Sequence, residues 1–210
     1  MEKYYEKLIT LSGIFTAVII ISNIIAGKLV NIGPFVITLS VLIYPLSFGI
    51  SNIVFEIYGE KIAKKVIKIG FISSLILVIY SYIVILYPPA SIFNKNNAYV
   101  AVFNSTPRII LASFFAYLSA QYTNVWAFNL PKRLFKINNV IFRNTFSMVI
   151  TQLVDSIVFV LVSFLWTYDL NVLMNMVISQ YIVKLILSSL NSPIINISIQ
   201  RLKKDLAFEE

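Results

Sequence analysis

Asp155 and Lys184 carry opposite charges near the middle of two apolar stretches, beyond reach of any polar boundary. A charged side chain at the centre of a bilayer costs about 2.5–3.5 kcal/mol even on lenient insertion scales, so such a residue marks a site or pathway, or else it is neutralised in an ion pair. Both readings stay open and are compatible, because a pair that lines a cavity is also a gate that substrate or a proton disturbs. Glu56 is a second carboxylate inside an apolar stretch, closer to a basic connection where Lys61 and Lys64 offer partners.

Neutral polar groups extend the pattern at helical spacing. Ser113, Tyr117, Gln121 and Asn124 share one helix face; Asn144, Ser147, Thr151 and Asp155 share another, with Gln152 adjacent; Gln180, Lys184, Ser188 and Asn191 share a third. Phe48, Asn52 and Glu56 follow Pro45 on a fourth stripe, and Ser12, Thr16 and Asn23 lie upstream. The bland reading of any one amide or hydroxyl is interhelical glue, worth about 0.6 kcal/mol on average. Together, Asn23, Asn52, Glu56, Gln121, Asn124, Gln152, Asp155 and Lys184 form the candidate substrate-binding set. Amides present a donor and an acceptor side by side, and a carboxylate accepts two N–H groups, so the set suits a small, flat, heteroatom-rich solute. An ion or an amino acid also fits this chemistry. Tyr117, Tyr122 and Trp126 can stack on a planar ligand, while Trp126 equally suits an interface anchor.

Cysteine and histidine are both absent, which removes thiolate nucleophiles, imidazole bases, disulfides and the usual zinc sites. No glycine-rich phosphate loop is present. An intramembrane aspartyl protease would need Glu56 and Asp155 to converge on one water, and the glycine-flanked aspartate of that class is missing. The chain therefore reads as a non-enzyme with no catalytic residue, no cofactor and no metal site.

The elements that must hold these groups are membrane helices. With 59% hydrophobic and 12% charged residues and a mean hydropathy of +0.85, the 210-residue chain takes the bilayer as its solvent. Six apolar stretches are long enough to span it, at about 8–30, 35–58, 66–87, 108–128, 143–166 and 171–200. The expected fold is thus an all-α integral membrane protein of six transmembrane helices in a single domain over residues 1–210. Thirteen of the 17 Lys and Arg residues fall in the N-terminus, the second and fourth connections and the C-terminus. Only Lys28, Lys95 and Arg108 lie on the other side, which predicts cytoplasmic termini. Basic loops beside anionic lipid also account for the net charge of +8 without a nucleic-acid partner. The first span is too long and too polar at Asn23 and Lys28 for a cleaved signal. No residue pattern sets an oligomeric state.

Two groups of three helices have opposite topology, as in a 3+3 inverted repeat, with Asn52 and Glu56 in the second helix echoed by Gln152 and Asp155 in the fifth. The longest connection, Pro88 to Pro107, reads as a lid or a short surface helix, and Ser105-Thr106-Pro107 reads as a helix start. Pro45 and Pro193 are expected to kink their helices, and the charged tail from Arg201 to fray.

The stretch Ser22-Asn23, then Tyr44-Pro45-Leu46-Ser47-Phe48 through Asn52, Glu56, Tyr58-Gly59 and Ala63-Lys64, resembles the vitamin-uptake-transporter-like family of queuosine-precursor transporters. Arg108, Ala112-Ser113, Ala116-Tyr117, Gln121, Asn124, Phe128-Asn129, Arg143-Asn144, Ser147, Gln152, Asp155-Ser156, Phe159, Phe164, Lys184 and Pro193 continue the resemblance over nearly the whole chain. It implies a six-helix bacterial inner-membrane protein that imports 7-deazaguanine bases for tRNA modification, with a planar deazapurine as its small-molecule partner and membrane lipid around it. Asp155 and Gln152 would then read the guanine-like edge. Where the family commonly has Asp in the second helix this chain has Asn52, and where it often has Gly there is Ala120. The alternative is the substrate-binding component of an ATP-driven vitamin importer, for which Gly13 with Ala17 and Ser22 with Ala26 supply small-residue docking pairs.

Overall fold

A computed structural model describes residues 2–137 and 139–207; the side chains at 2, 3, 121, 125, 140, 141, 144, 191–196 and 203–207 lie outside the described residues. The elements run α1 (Glu2–Ile25), β1 (Leu29–Ile32), β2 (Phe35–Thr38), a 3-10 turn (Leu39–Leu42), α2 (Tyr44–Tyr58), α3 (Glu60–Leu86), α4 (Asn96–Phe135), α5 (Val140–Phe164) and α6 (Leu170–Ala207). Among the described residues, six helical segments are long and apolar enough to cross a membrane, and the architecture is that of an all-α membrane protein.

The first connection differs from its expected form. Residues assigned to the end of the first span and the start of the second form an antiparallel hairpin, pairing Leu29 with Thr38 and Ile32 with Phe35. Gly33, at φ 57°, takes the first central position of the two-residue turn, where a side chain would be strained, and Pro34 takes the second. Both arms are apolar, so in the sequence they merge with the flanking helices. Ile37 and Thr38 are fully buried.

Pro45 does not kink its helix. It lies in the first turn of α2, where its missing N–H is one the helix would leave unpaired anyway. At the other end Gly59, at φ 82° and ψ 168°, turns the chain directly from α2 into α3. That backbone region is essentially reserved for glycine.

The fourth helix starts well before Pro107, contrary to expectation. α4 runs unbroken for 40 residues, roughly 60 Å at 1.5 Å per residue, about twice the hydrocarbon thickness. Ser105 and Thr106, read as a cap, instead donate their hydroxyls to the carbonyl of Val102 at 3.1 and 3.2 Å, inside the helix. α6 likewise continues past Arg201 to Ala207.

The chain forms two compact units: residues 1–28, 39–107 and 186–210, and residues 29–38 and 108–185. In the first, Phe15, Val54, Tyr58, Ala63 and Val66 make a core where α1, α2 and α3 meet. The Tyr58 hydroxyl donates to the Tyr4 carbonyl at 3.2 Å, and their rings lie 4.5 Å apart. Gly70 permits the close approach of α1 and α3, because a Cβ there would sit 2.6 Å from Cε1 of Phe15. Gly70→Ala should lower stability by about 1–3 kcal/mol, as overpacking of a filled core does. Thermal unfolding of the detergent-solubilised protein checks this, and an unchanged midpoint would show that Phe15 swings aside freely.

Candidate functional site

The second unit holds the buried charges. The short connection at residues 165–169 makes α5 and α6 antiparallel neighbours. Their facing surfaces bring Lys184 Nζ to 2.6 Å from Oδ2 of Asp155. Both residues are buried, at 6% and 8% exposure, so the two full charges stand in a medium where each requires the other. The ring of Phe159, one turn along α5 from Asp155, has its centroid 5.8 Å from the ammonium. Phe159 is itself buried and packs edge-on against Phe164.

The same two helices carry further buried polar atoms with no hydrogen-bond partner among the described residues. Gln180, one turn before Lys184 on the same face of α6, is fully buried, and neither its Nε2 nor its Oε1 has a hydrogen-bond partner. The hydroxyls of Thr151, Ser156 and Ser163 on α5 are also buried and unpartnered. A buried donor or acceptor left unbonded costs about 1–3 kcal/mol, which makes such a cluster an expensive way to pack two helices. Its chemistry is that of a surface able to bond a polar solute.

The scaffold around this cluster is tied by two arginines. Arg108, near the start of the α4 portion in this unit, donates from Nε to the Val162 carbonyl at 2.8 Å and from a terminal nitrogen to the Leu165 carbonyl at 2.6 Å. Its other terminal nitrogen lies 3.4 Å from Oγ1 of Thr167. Arg143, in the first turn of α5, answers from the other end of the α4–α5 pair. It donates to the Phe128 carbonyl at 2.9 Å and to Oδ1 of Asn129 at 3.2 Å, with its guanidinium 4.1 Å over the Phe128 ring. Ser147 of α5 donates to the carbonyl and to Oδ1 of Asn124 on α4. The hairpin is joined to α6 where the Val36 amide lies 3.4 Å from Oδ1 of Asn175.

The eight residues singled out from the sequence divide between the units. Asp155 and Lys184 are bonded to each other; Asn124, exposed, and Gln152, half-buried, belong to the same unit. Gln121 is on α4, and its side chain lies outside the described residues. Asn23, Asn52 and Glu56 belong to the first unit. Asn23 is buried and donates to Ser74 Oγ at 3.2 Å, the bond of an interhelical tie between α1 and α3. Asn52 and Glu56 are exposed on one stripe of α2 with Phe48, and Lys64 pairs with Glu60 one turn away on α3. Tyr122 and Trp126 are 78% and 55% exposed. The aromatic ring beside the buried charges is Phe159 instead. Gln180 was visible in the sequence as the i−4 neighbour of Lys184, but only its burial without a partner distinguishes it from the other amides.

Ionisable and amide side chains buried at mid-helix among six membrane-length helices are features that multi-pass transport proteins share. Residues 38–198 match the family described as "Putative vitamin uptake transporter", and the chain belongs to that family. Among curated proteins it is similar to the "Probable queuosine precursor transporter" of Bacillus subtilis (strain 168). The two are 29% identical over 173 residues, which cover 82% of this chain and 76% of that one. No solved structure matches it significantly.

Proposed function

We propose that this protein imports queuosine precursors across the bacterial inner membrane for tRNA modification. The substrates would be 7-deazaguanine bases such as 7-cyano-7-deazaguanine, 7-aminomethyl-7-deazaguanine or queuine. The observation that carries this reading is the buried Asp155–Lys184 pair beside Phe159 and the unpartnered Gln180 amide, in a chain similar to a protein of that description. A planar, hydrogen-bonding base can stack on the ring and bond the polar atoms. Asp155 and Gln152 supply acceptors and a donor for the guanine-like edge, and Asn52, Glu56, Asn23, Gln121 and Asn124 are further candidate contacts along the path.

Both termini are cytoplasmic in this reading, with the 13 basic residues of the termini and of the second and fourth connections on that side. α1, α2 and α3 lie in one unit, while α5, most of α4 and the first part of α6, residues 170–185, lie in the other, so three spans fall mainly to each. Alternating access of these halves as inverted repeats moves the substrate across.

The test is the queuosine content of tRNA in bacteria that lack both precursor synthesis and their own importer, express this protein and receive nanomolar precursor bases one at a time. Modification with one base and not the others is the expected result and names the substrate. Confirmed membrane expression with no modification by any base overturns the proposal. Uptake by the purified protein alone in liposomes separates a self-sufficient carrier from a component that needs an ATPase.

A further inference from the structure

We propose that Gln180 is the residue that reads the lactam edge of the transported base, an inference that rests on the importer reading above. Three observations lead to it. First, the side chain is fully buried while both atoms of its amide are unbonded. Glutamine is a poor choice for that position on packing grounds alone, since methionine or leucine would fill the same volume without two desolvated polar groups.

Second, Gln180 lies at the charged pair. It precedes Lys184 by one turn on the same face of α6, and the Asp155–Lys184 bond sets the register of the antiparallel α5. In that register Gln180 falls level with Phe159, between the heights of Ser156 and Ser163, whose hydroxyls are likewise buried and unpartnered. An aromatic ring and a neutralised ion pair therefore stand at the level of the free amide, and two further free hydroxyls lie on α5 within a turn or so of that height.

Third, the chemistry matches. A lactam edge offers an N–H donor beside a C=O acceptor, and a primary amide answers with Oε1 and Nε2 in the same plane. An apolar solute would leave the amide unbonded, and an anionic one would meet a pair whose positive charge is already neutralised by Asp155. Gln180 supplies the bidentate recognition of the lactam N–H and C=O, beside the contacts of Asp155 and Gln152 to the rest of the guanine-like edge.

The experiment uses the full chain in proteoliposomes, with labelled 7-cyano-7-deazaguanine as the probe and its N1-methyl analogue, which lacks the lactam N–H, as competitor. Gln180→Met keeps the shape and removes both hydrogen-bonding atoms. The expected result is a KM raised at least ten-fold with a melting temperature at or above that of the wild type. The wild type should also prefer the probe to the analogue at least ten-fold, and the variant should lose that preference. A purely packing role would leave KM and discrimination unchanged, and that outcome overturns the assignment. Should Gln180→Met fail to fold, the wild type decides alone: an analogue that competes as well as the probe overturns the assignment. Wild-type liposomes that take up none of the precursor bases bring down the importer reading and this inference together, whereas normal wild-type uptake with an unaltered variant brings down this inference only.

Discussion

Asp155→Asn will abolish uptake and leave a protein that is markedly less stable. The substitution strands the Lys184 ammonium in a buried site whose counter-charge stands at 2.6 Å in the native protein. Breaking a buried pair by removing one partner costs about 3–5 kcal/mol, against the near-neutral cost of replacing both partners by apolar groups of similar volume. The pair therefore offers a clean separation of structure from function. Asp155→Leu combined with Lys184→Met should recover most of the melting temperature lost in Asp155→Asn while uptake stays absent, because the restored packing carries no polar group for the solute. Thermal unfolding and uptake measured on the same three preparations check this. Transport by the double variant at the wild-type rate would reduce the pair to a structural tie.

Arg108→Ala is expected to be the other severe change, although Arg108 lies on a different face of the problem. The last carbonyls of a helix have no intrahelical donor, and at the end of α5 that of Val162, with that of Leu165 just beyond the helix, is taken by the Arg108 guanidinium, at 2.8 and 2.6 Å. Positive charge at a helix C-terminus is favoured by the helix dipole as well. The turn that follows includes Trp166 at φ 67°, a left-handed conformation unfavourable for a bulky residue, so it depends on neighbours that hold it in place. Hydrogen bonds to charged groups are each worth about 1.5–3 kcal/mol, which puts the loss at roughly 3 kcal/mol or more. Arg108→Lys should not restore it, since one ammonium cannot span two carbonyls with the planar fork geometry. Because this turn sets the register of α5 against α6, uptake should fall with stability. A normal melting temperature in Arg108→Ala would show that the α5 end is held by other contacts. The same geometry gives the positive charge of Arg108, one of the few basic residues outside the basic connections and termini, a structural use at the end of a helix.

What was legible in the sequence is what composition and helical periodicity carry. Apolar runs of bilayer length must become helices, because no other open structure satisfies backbone groups in lipid, and the six spans follow from that. So does the attention drawn to Asp155 and Lys184, since two charges in hydrocarbon are expensive wherever the chain places them. Periodicity could not see the hairpin at Leu29–Thr38, whose apolar arms look like helix in a window of hydrophobicity and are separated only by Gly33-Pro34. Nor could it decide whether a proline breaks a helix: Pro45 sits harmlessly in a first turn and Pro107 is carried inside α4, and those outcomes depend on where each helix begins. Tertiary structure alone sorted the amides, because an amide's role depends on what faces it across a helix boundary. Asn23 meets Ser74, Asn124 meets Ser147, and Gln180 meets no hydrogen-bond partner among the described residues. Residue type and spacing determine which groups are costly in a membrane; only packing determines which of those costs the protein has already met within itself.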